Sequence, residues 1–293
     1  MRRENPVNGR WRRDGRGLAG SVTAVLFVII ITTLLAGVAL YYVPAWSKDA
    51  EGEHMNKVSN QFLSIRDGIE DQITRGTGSG SLYTHVAMTS GTTSSFLGIQ
   101  GEPSKGSLSL DTNGSFFEIY DSDNVSDIYA LGKGILRFQS RNAYYVDQEY
   151  AYEGGAVLVR QGSSSTVREG AAPRFQRLEN GCLTLSMSFY AVFGEAVSIT
   201  GTGSAGVETR VAYTEETLIP FPSPRNLTLN ATTRYGGGWA SFINSSVLSQ
   251  FAAENLTAAN YSVAASGAGF VFQSFGVSQL RVRFSIIEAR VSK

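Results

Sequence analysis

Positions 17–47 carry no charged residue, and their middle, Ala24-Val-Leu-Phe-Val-Ile-Ile-Ile31, is apolar throughout. A helix rises 1.5 Å per residue, so about 20 such residues cross the hydrocarbon of a bilayer. This run is ample, and it commits residues 18–47 to a transmembrane helix with membrane lipid as its first partner. Six arginines (Arg2, Arg3, Arg10, Arg12, Arg13 and Arg16) precede it against Glu4 and Asp14, whereas Lys48, Asp49, Glu51 and Glu53 beyond it are mixed in sign. The positive-inside rule then places residues 1–17, a basic leader, in the cytoplasm and the C-terminal domain outside the cell. Tyr41, Tyr42 and Trp46 mark the outer interface, where amphipathic rings prefer to sit. A removed secretory signal has a shorter apolar core, about 7–15 residues, and a small-residue cleavage site. Pro44-Ala45-Trp46 is a poor cleavage context, so the helix is expected to stay with the protein.

The formal net charge of zero conceals an asymmetry. The leader carries about +4, so the remainder carries about −4 and has no basic stripe with which to neutralise phosphates; nucleic acid is therefore excluded as a partner. Cys182 is the only cysteine, which rules out an intrachain disulfide and a cysteine metal cage. The core must supply the stability.

The helical period continues into water. Met55, Val58, Phe62, Ile65, Ile69 and Ile73 recur at steps of three and four on one face, while Asp49, Glu51, Lys57, Arg66, Asp67, Glu70 and Asp71 occupy the others. Residues 48–76 are expected to form a juxtamembrane amphipathic helix packed on its own domain. Pro44 should kink it near the membrane exit, and Gly76-Thr-Gly-Ser-Gly80 should end it.

A short arginine-rich leader, Arg16-Gly17 followed by Leu18-Ala19-Gly20-Ser21, and a long retained apolar helix resemble the class III signal of archaeal type IV pilins and archaellins. In that family a prepilin-peptidase-like protease cuts on the cytoplasmic side after the glycine. The resemblance implies processing at Gly17 and Leu18, with Leu18 as the mature N-terminus, and other pilin-like subunits as partners. It covers about 60 residues. The glutamate that many bacterial pilins carry at the fifth mature position falls on Val22, so charge pairing between neighbouring subunits is not available there. A plain signal-anchor helix that is never processed is the alternative.

Beyond Gly80 the period becomes alternating. Short β-prone runs separated by Gly, Ser, Asn and Asp clusters span 81–88, 106–110, 115–120, 134–140, 155–161, 183–193, 196–200, 206–213, 227–232 and 269–275. In a last run Leu280, Val282, Phe284 and Ile286 alternate with Gln279, Arg281, Arg283 and Ser285. Trp239, Phe242, Ile243, Val247, Leu248 and Phe251 fit a helix after a Gly236-Gly-Gly238 turn. The expected fold class is α+β: a long N-terminal transmembrane and amphipathic helix, then residues 81–293 as one mainly antiparallel, β-sandwich-like extracellular domain with one inserted helix.

A second resemblance lies within this domain. The segment Tyr144-Tyr-Val-Asp-Gln-Glu-Tyr-Ala-Tyr-Glu-Gly-Gly-Ala-Val-Leu-Val-Arg-Gln161, with Ala172-Pro-Arg-Phe175, is similar to one shared by archaeal pilin-like proteins of unknown function. It implies no activity. Physically, Gly154-Gly155 suits a tight turn of a hairpin whose second strand enters the core at Ala156–Val159.

Seven of the thirteen asparagines open Asn-X-Ser/Thr triplets: Asn113, Asn124, Asn226, Asn230, Asn244, Asn255 and Asn260. All lie beyond the membrane helix, where a lumenal or extracellular oligosaccharyltransferase works, and all are glycosylation candidates.

Catalytic patterns are not apparent. His54 and His85 stand in no motif and read as structural. No Gly-x-Ser-x-Gly elbow, His-Glu-x-x-His pair or phosphate loop occurs. Asp121-Ser-Asp-Asn-Val-Ser-Asp127 offers Asp121, Asp123 and Asp127 as oxygen donors for a hard cation, but lacks the glycine and terminal glutamate of an EF-hand loop, and a solvated turn is the better reading. The expectation is a non-enzymatic, membrane-anchored surface protein without a cofactor, which the resemblance makes an archaeal type IV pilin-like protein and a minor filament subunit for adhesion or surface structure. The alternative is a non-polymerising single-pass envelope or ligand-binding protein.

Overall fold

The computed structural model describes residues 15–76, 78, 80–90, 103–179 and 181–293, with the backbone alone at 15–19 and 252. The leader up to Asp14 lies outside the described residues. From Gly15 the chain is helical without a break to Arg75: α1 (Gly15–Gly37), five residues of π geometry (Val38–Tyr42) and α2 (Val43–Arg75). The 56 residues from Gly20 to Arg75 measure about 84 Å at 1.5 Å per residue. Pro44 sits in the first turn of α2 and has no N–H to return to the preceding turn. The wider π turn, closed by Val43 N–H to the Val38 carbonyl, lies directly before it. This is how the helix passes the proline.

Among the described residues twelve strands follow: β1 (Leu82–Ala87), β2 (Lys105–Asp121), β3 (Asn124–Arg141), β4 (Glu149–Glu153), β5 (Ala156–Gln161), β6 (Ser164–Glu169), β7 (Arg174–Arg177), β8 (Leu183–Phe193), β9 (Val197–Gly201), β10 (Ser204–Thr232), β11 (Tyr261–Ser266) and β12 (Gly269–Ser292). The inserted helix, α3, spans Gly236–Glu254 between β10 and β11. The domain is mainly antiparallel β with one inserted helix, as expected. It is one hydrogen-bonded sheet, however, and not the two sheets of a sandwich. The order is β6-β5-β4-β3-β2-β10-β12-β8-β7, with β1 on β10, β9 on β2 and β11 on β12. Strands β12 and β8 run parallel. One further parallel bridge, Lys133 with Ala191, brings β3 to β8 and closes β3, β2, β10, β12 and β8 into a ring. That closure needs Gly134: its φ is +88°, and a Cβ there would stand 2.4 Å from the Val192 carbonyl oxygen.

Two apolar clusters fill the domain, and the long strands serve both. The first contains the α2 stripe (Met55, Val58, Phe62, Ile65, Ile69, Ile73) with Leu108, Phe138, Val207 and Ile287. The second contains Tyr235, Trp239, Ile243 and Val247 of the α3 region with Phe117, Leu185, Leu229 and Leu280. On β12, Leu280 and Val282 enter the α3 cluster, whereas Ile287, Ala289 and Val291 enter the α2 cluster from the opposite face. The expected single face of this strand, Leu280 through Ile286, therefore holds only for its first half. A strand that crosses from one core to the other must change its inward parity, and Ser285 is buried where the change occurs.

The reading of α2 also needs correction. Its apolar stripe is buried as expected, but Glu51 is fully buried, and Arg66 and Glu70 turn partly inward. The three glycines expected to form a turn before α3 instead form its first residues.

Candidate functional site

Three structural joints and one groove carry the chemically unusual side chains. The first element to place is α1. Its large apolar side chains from Val22 to Leu34 are 39–66% exposed, with no described strand or helix of the domain packed over them. Thr32 and Thr33 return their hydroxyls to the carbonyls of Val28 and Ile29, so these polar groups are satisfied without water. The helix is long and apolar enough to cross a membrane. Gly17 and Leu18 lie in its first turn.

Polar anchors bind α2 to the domain at both ends. Near its start the Glu51 carboxylate accepts the backbone N–H groups of Ala143, Tyr144 and Tyr145 at 2.8, 2.9 and 2.6 Å. His54 sits between α2 and β1, with Nε2 3.0 Å from the Ala87 carbonyl and Nδ1 3.4 Å from Ser104 Oγ; burial lowers its pKa. Near the end of α2, Gln72 donates to the Thr209 carbonyl and accepts from Val211 N–H, both at 3.0 Å. These are backbone groups beside the irregularity between Val211 and Tyr213, where β10 slips one residue against β12. The side chain thus supplies the partners that a bulge removes. Glu51→Ala leaves three backbone donors without their acceptor and is expected to cost about 3 kcal/mol, read as a lower denaturant midpoint, while Glu51→Gln should lose less.

A polar cluster lies where α2 meets β8 and β12. Tyr190 donates its hydroxyl to Glu70, and Arg283 Nη2 reaches both Glu70 (3.1 Å) and the Tyr190 oxygen (2.9 Å). Burial, then the Glu70 charge, pushes the Tyr190 pKa up to about 12. The phenol stays protonated and serves as a donor, not as a base. Tyr152 lies beside them, fully buried, with its pKa raised well above the ordinary value, first by burial. Arg66 reaches from α2 to Glu169 on β6 at 2.6 Å. Above this cluster opens a polar groove of about 980 Å³, lined by Arg66, Arg174, Arg281 and Arg283 and by serines of β8 and α3. Strand register explains the arginines: Arg281 and Arg174 both align with Ser186, across three neighbouring strands.

The third joint fastens α3 to the β4–β5 hairpin. Strand β4, Glu-Tyr-Ala-Tyr-Glu, is buried at all five positions. Glu153 accepts from Thr233 Oγ1 and from Trp239 Nε1 (2.9 Å), and Glu149 accepts from the Tyr235 hydroxyl. Burial raises the Glu153 pKa to about 7, and the Tyr235 pKa is raised for the same leading reason. The turn between the strands, Gly154 and Gly155, has φ of +55° and +77°, so the hairpin read from the sequence is present.

No family model, curated protein or solved structure matches this chain.

The other expected site residues can now be placed. Asp121, Asp123 and Asp127 are not brought together. Asp121 is buried and paired with Arg225 at 3.0 Å, while Asp123 and Asp127 face solvent. Among the described residues no group of three His, Cys, Asp or Glu side chains converges for a metal ion. His85 is exposed on β1 beside Tyr83. Of the seven sequon asparagines, Asn113, Asn124 and Asn255 are exposed, and Asn226, Asn230, Asn244 and Asn260 are half-buried. Glu51, Glu70, Glu149, Glu153 and Gln72 are the polar residues that sequence reasoning missed. The one available signal was in β4, where two glutamates flank three residues of strong core character; paired acids at strand ends read as solvent markers unless their donors, far away in sequence, are known.

Proposed function

We propose that this chain is an archaeal type IV pilin-like cell-surface protein, held in the membrane by α1 with its N-terminus in the cytoplasm and its β domain displayed outside. The reading rests chiefly on one observation, the unbroken helix from Gly20 to Arg75. Its first part is apolar and bare, and its second part is built into the α2 cluster of the domain. One rigid element thus serves as both anchor and core. The basic leader and the mixed charges after Ser47 support the orientation. In this reading a prepilin-peptidase-like protease cuts between Gly17 and Leu18, and α1 exchanges lipid contacts for contacts with other pilin-like subunits. Gly20 and Gly37, where an added Cβ meets nothing within 4 Å, allow close helix approach. No catalytic step is part of the proposal.

N-terminal mass spectrometry of the membrane-extracted protein tests it. The expected start is Leu18, and Gly17→Val should restore the intact leader. A wild-type chain that begins at Met1 or Arg2 would sink the pilin assignment and leave a single-pass anchor. The polar groove of about 980 Å³ favours, as a second reading, a non-polymerising envelope protein that binds a ligand; it predicts that intact start and no crosslinks between copies through α1.

A further inference from the structure

The folded chain treats its seven sequons unequally. An oligosaccharyltransferase acting on a folded domain must reach the asparagine carboxamide, the residue after it and the hydroxyl two positions on. At Asn113 that hydroxyl belongs to Ser115, which is buried and donates to the Gly134 carbonyl at 3.0 Å. At Asn226 both Leu227 and Thr228 are buried, and the asparagine oxygen accepts from Gly276 N–H. Asn230 has committed its own acceptor nitrogen, which donates to Glu118 at 3.0 Å, and Ala231 beside it is buried. Asn244 is held in α3 with its oxygen bonded to the Tyr261 hydroxyl at 2.7 Å. Asn255 caps α3 with φ +50°, Leu256 is in the core, and the Thr257 hydroxyl is taken by Asn260. Asn260 in turn spends its oxygen on Thr257 and is half-buried, as is Tyr261.

Asn124-Val125-Ser126 is different. All three residues are exposed, at the turn that joins β2 to β3 and farthest along these strands from the α2 cluster. Among the described residues the Asn124 nitrogen and the Ser126 hydroxyl have no partner, and the asparagine oxygen meets only the Ser126 backbone N–H, at 3.4 Å.

We infer that Asn124 is the N-glycan acceptor of the folded protein. In that reaction the carboxamide nitrogen bonds to the anomeric carbon of a polyprenyl-phosphate-linked oligosaccharide. The anomeric C–O bond to phosphate breaks, its electron pair leaves with the lipid phosphate, and one amide proton passes to a base of the transferase. A second feature of the tip fits this placement. Val125 and Ile128 project into water at 64% and 49% exposure, with Leu131 at 42%. A saccharide on Asn124 would shield apolar side chains that otherwise invite association.

The inference rests on the outward placement of the domain proposed above, so its test has two arms. Glycopeptide mass spectrometry of the full-length chain from its native membranes reads occupancy, and protease accessibility on intact cells reads the domain's location. Saccharide is expected on the Asn124 peptide alone. It should be lost completely in Ser126→Ala, a change at an exposed hydroxyl without a partner among the described residues, and kept in Ser126→Thr. Saccharide on any of the other six asparagines would show that acceptors are chosen before folding and would overturn the inference. An unmodified Asn124 in a domain that protease reaches overturns it too, yet leaves the surface reading standing. A domain protected from protease removes both.

Discussion

Between pH 4 and pH 8 the stability of Glu153→Gln relative to the unsubstituted chain should swing by about 3 kcal/mol in favour of the variant. The expectation follows from the raised Glu153 pKa, about 7 against 4.5 for an unperturbed glutamate. A carboxyl with a raised folded-state pKa binds more protons when folded than when unfolded, so stability falls as pH rises from 4.5 to 7 and is level above. At about 1.36 kcal/mol per unit, this shift corresponds to about 3 kcal/mol. Burial is its main cause, opposed by hydrogen bonds from Thr233 and Trp239 and reinforced by Glu149. Glutamine keeps an acceptor for both donors but cannot ionise. His54 has the opposite sign: its lowered pKa means that its contribution is lost as pH falls below about 6.5. That term is common to both proteins and cancels in the difference. Denaturant unfolding of the detergent-solubilised chains, followed by tryptophan fluorescence, measures the difference directly. Parallel stability curves across this range would show that Glu153 stays ionised in the fold.

Gly155→Ala should be among the most damaging single substitutions in the domain, at about 2–5 kcal/mol. Two costs add. The φ of +77° is a left-handed conformation, worth about 1–2 kcal/mol to a residue with a Cβ. The Cβ would also stand 2.1 Å from Tyr190 Cε2 and 2.5 Å from Cζ, and forcing a packed ring aside costs about 1–3 kcal/mol more. Tyr190 cannot yield cheaply, because its hydroxyl is held by Glu70 and Arg283. Gly162→Ala isolates the first term: φ there is +60° and nothing lies within 4 Å, so only about 1–2 kcal/mol should be lost. Equal midpoint shifts for the two variants would refute the clash with Tyr190.

These sites show which parts of the fold were legible in the sequence. The apolar stripe of α2 was visible because a 3.6-residue period is local, and the β8 boundaries, Leu183–Phe193, were read correctly because the run is long and rich in β-formers. Runs read as separate strands at 106–110 and 115–120 are halves of β2, and 206–213 and 227–232 are halves of β10. Irregular pairing between Asp111 and Phe116 and between Pro220 and Leu227 interrupts the alternation, so a period-2 reading stops where the strand does not. Strands β6, β7 and β11 are not legible, and β4 is implied only as the first arm of the Gly154-Gly155 hairpin, without bounds. Glu149 and Glu153 give the ends of β4 a polar character, and the serines and charges of β6 and β7 reflect largely exposed strands near the sheet margins. The polar joints were illegible for a different reason. Glu51 meets residues 143–145, Gln72 meets 209–211, and Glu153 meets 233 and 239. A buried carboxylate is tolerable only with its donors in place, and those donors are set by topology.

The two-core arrangement of β12 imposes an order on biogenesis. Strand β12 follows every other element in the chain, yet its Ile287, Ala289 and Val291 complete the cluster built on α2, near the opposite end of the sequence. During synthesis the cluster on α2 stays incomplete until some 200 further residues have emerged, which puts its completion under a large loop-closure entropy and slows it. Under the membrane-anchored reading proposed above, the tether keeps such an incomplete chain from encounters in bulk solution while the cluster waits for the residues of β12.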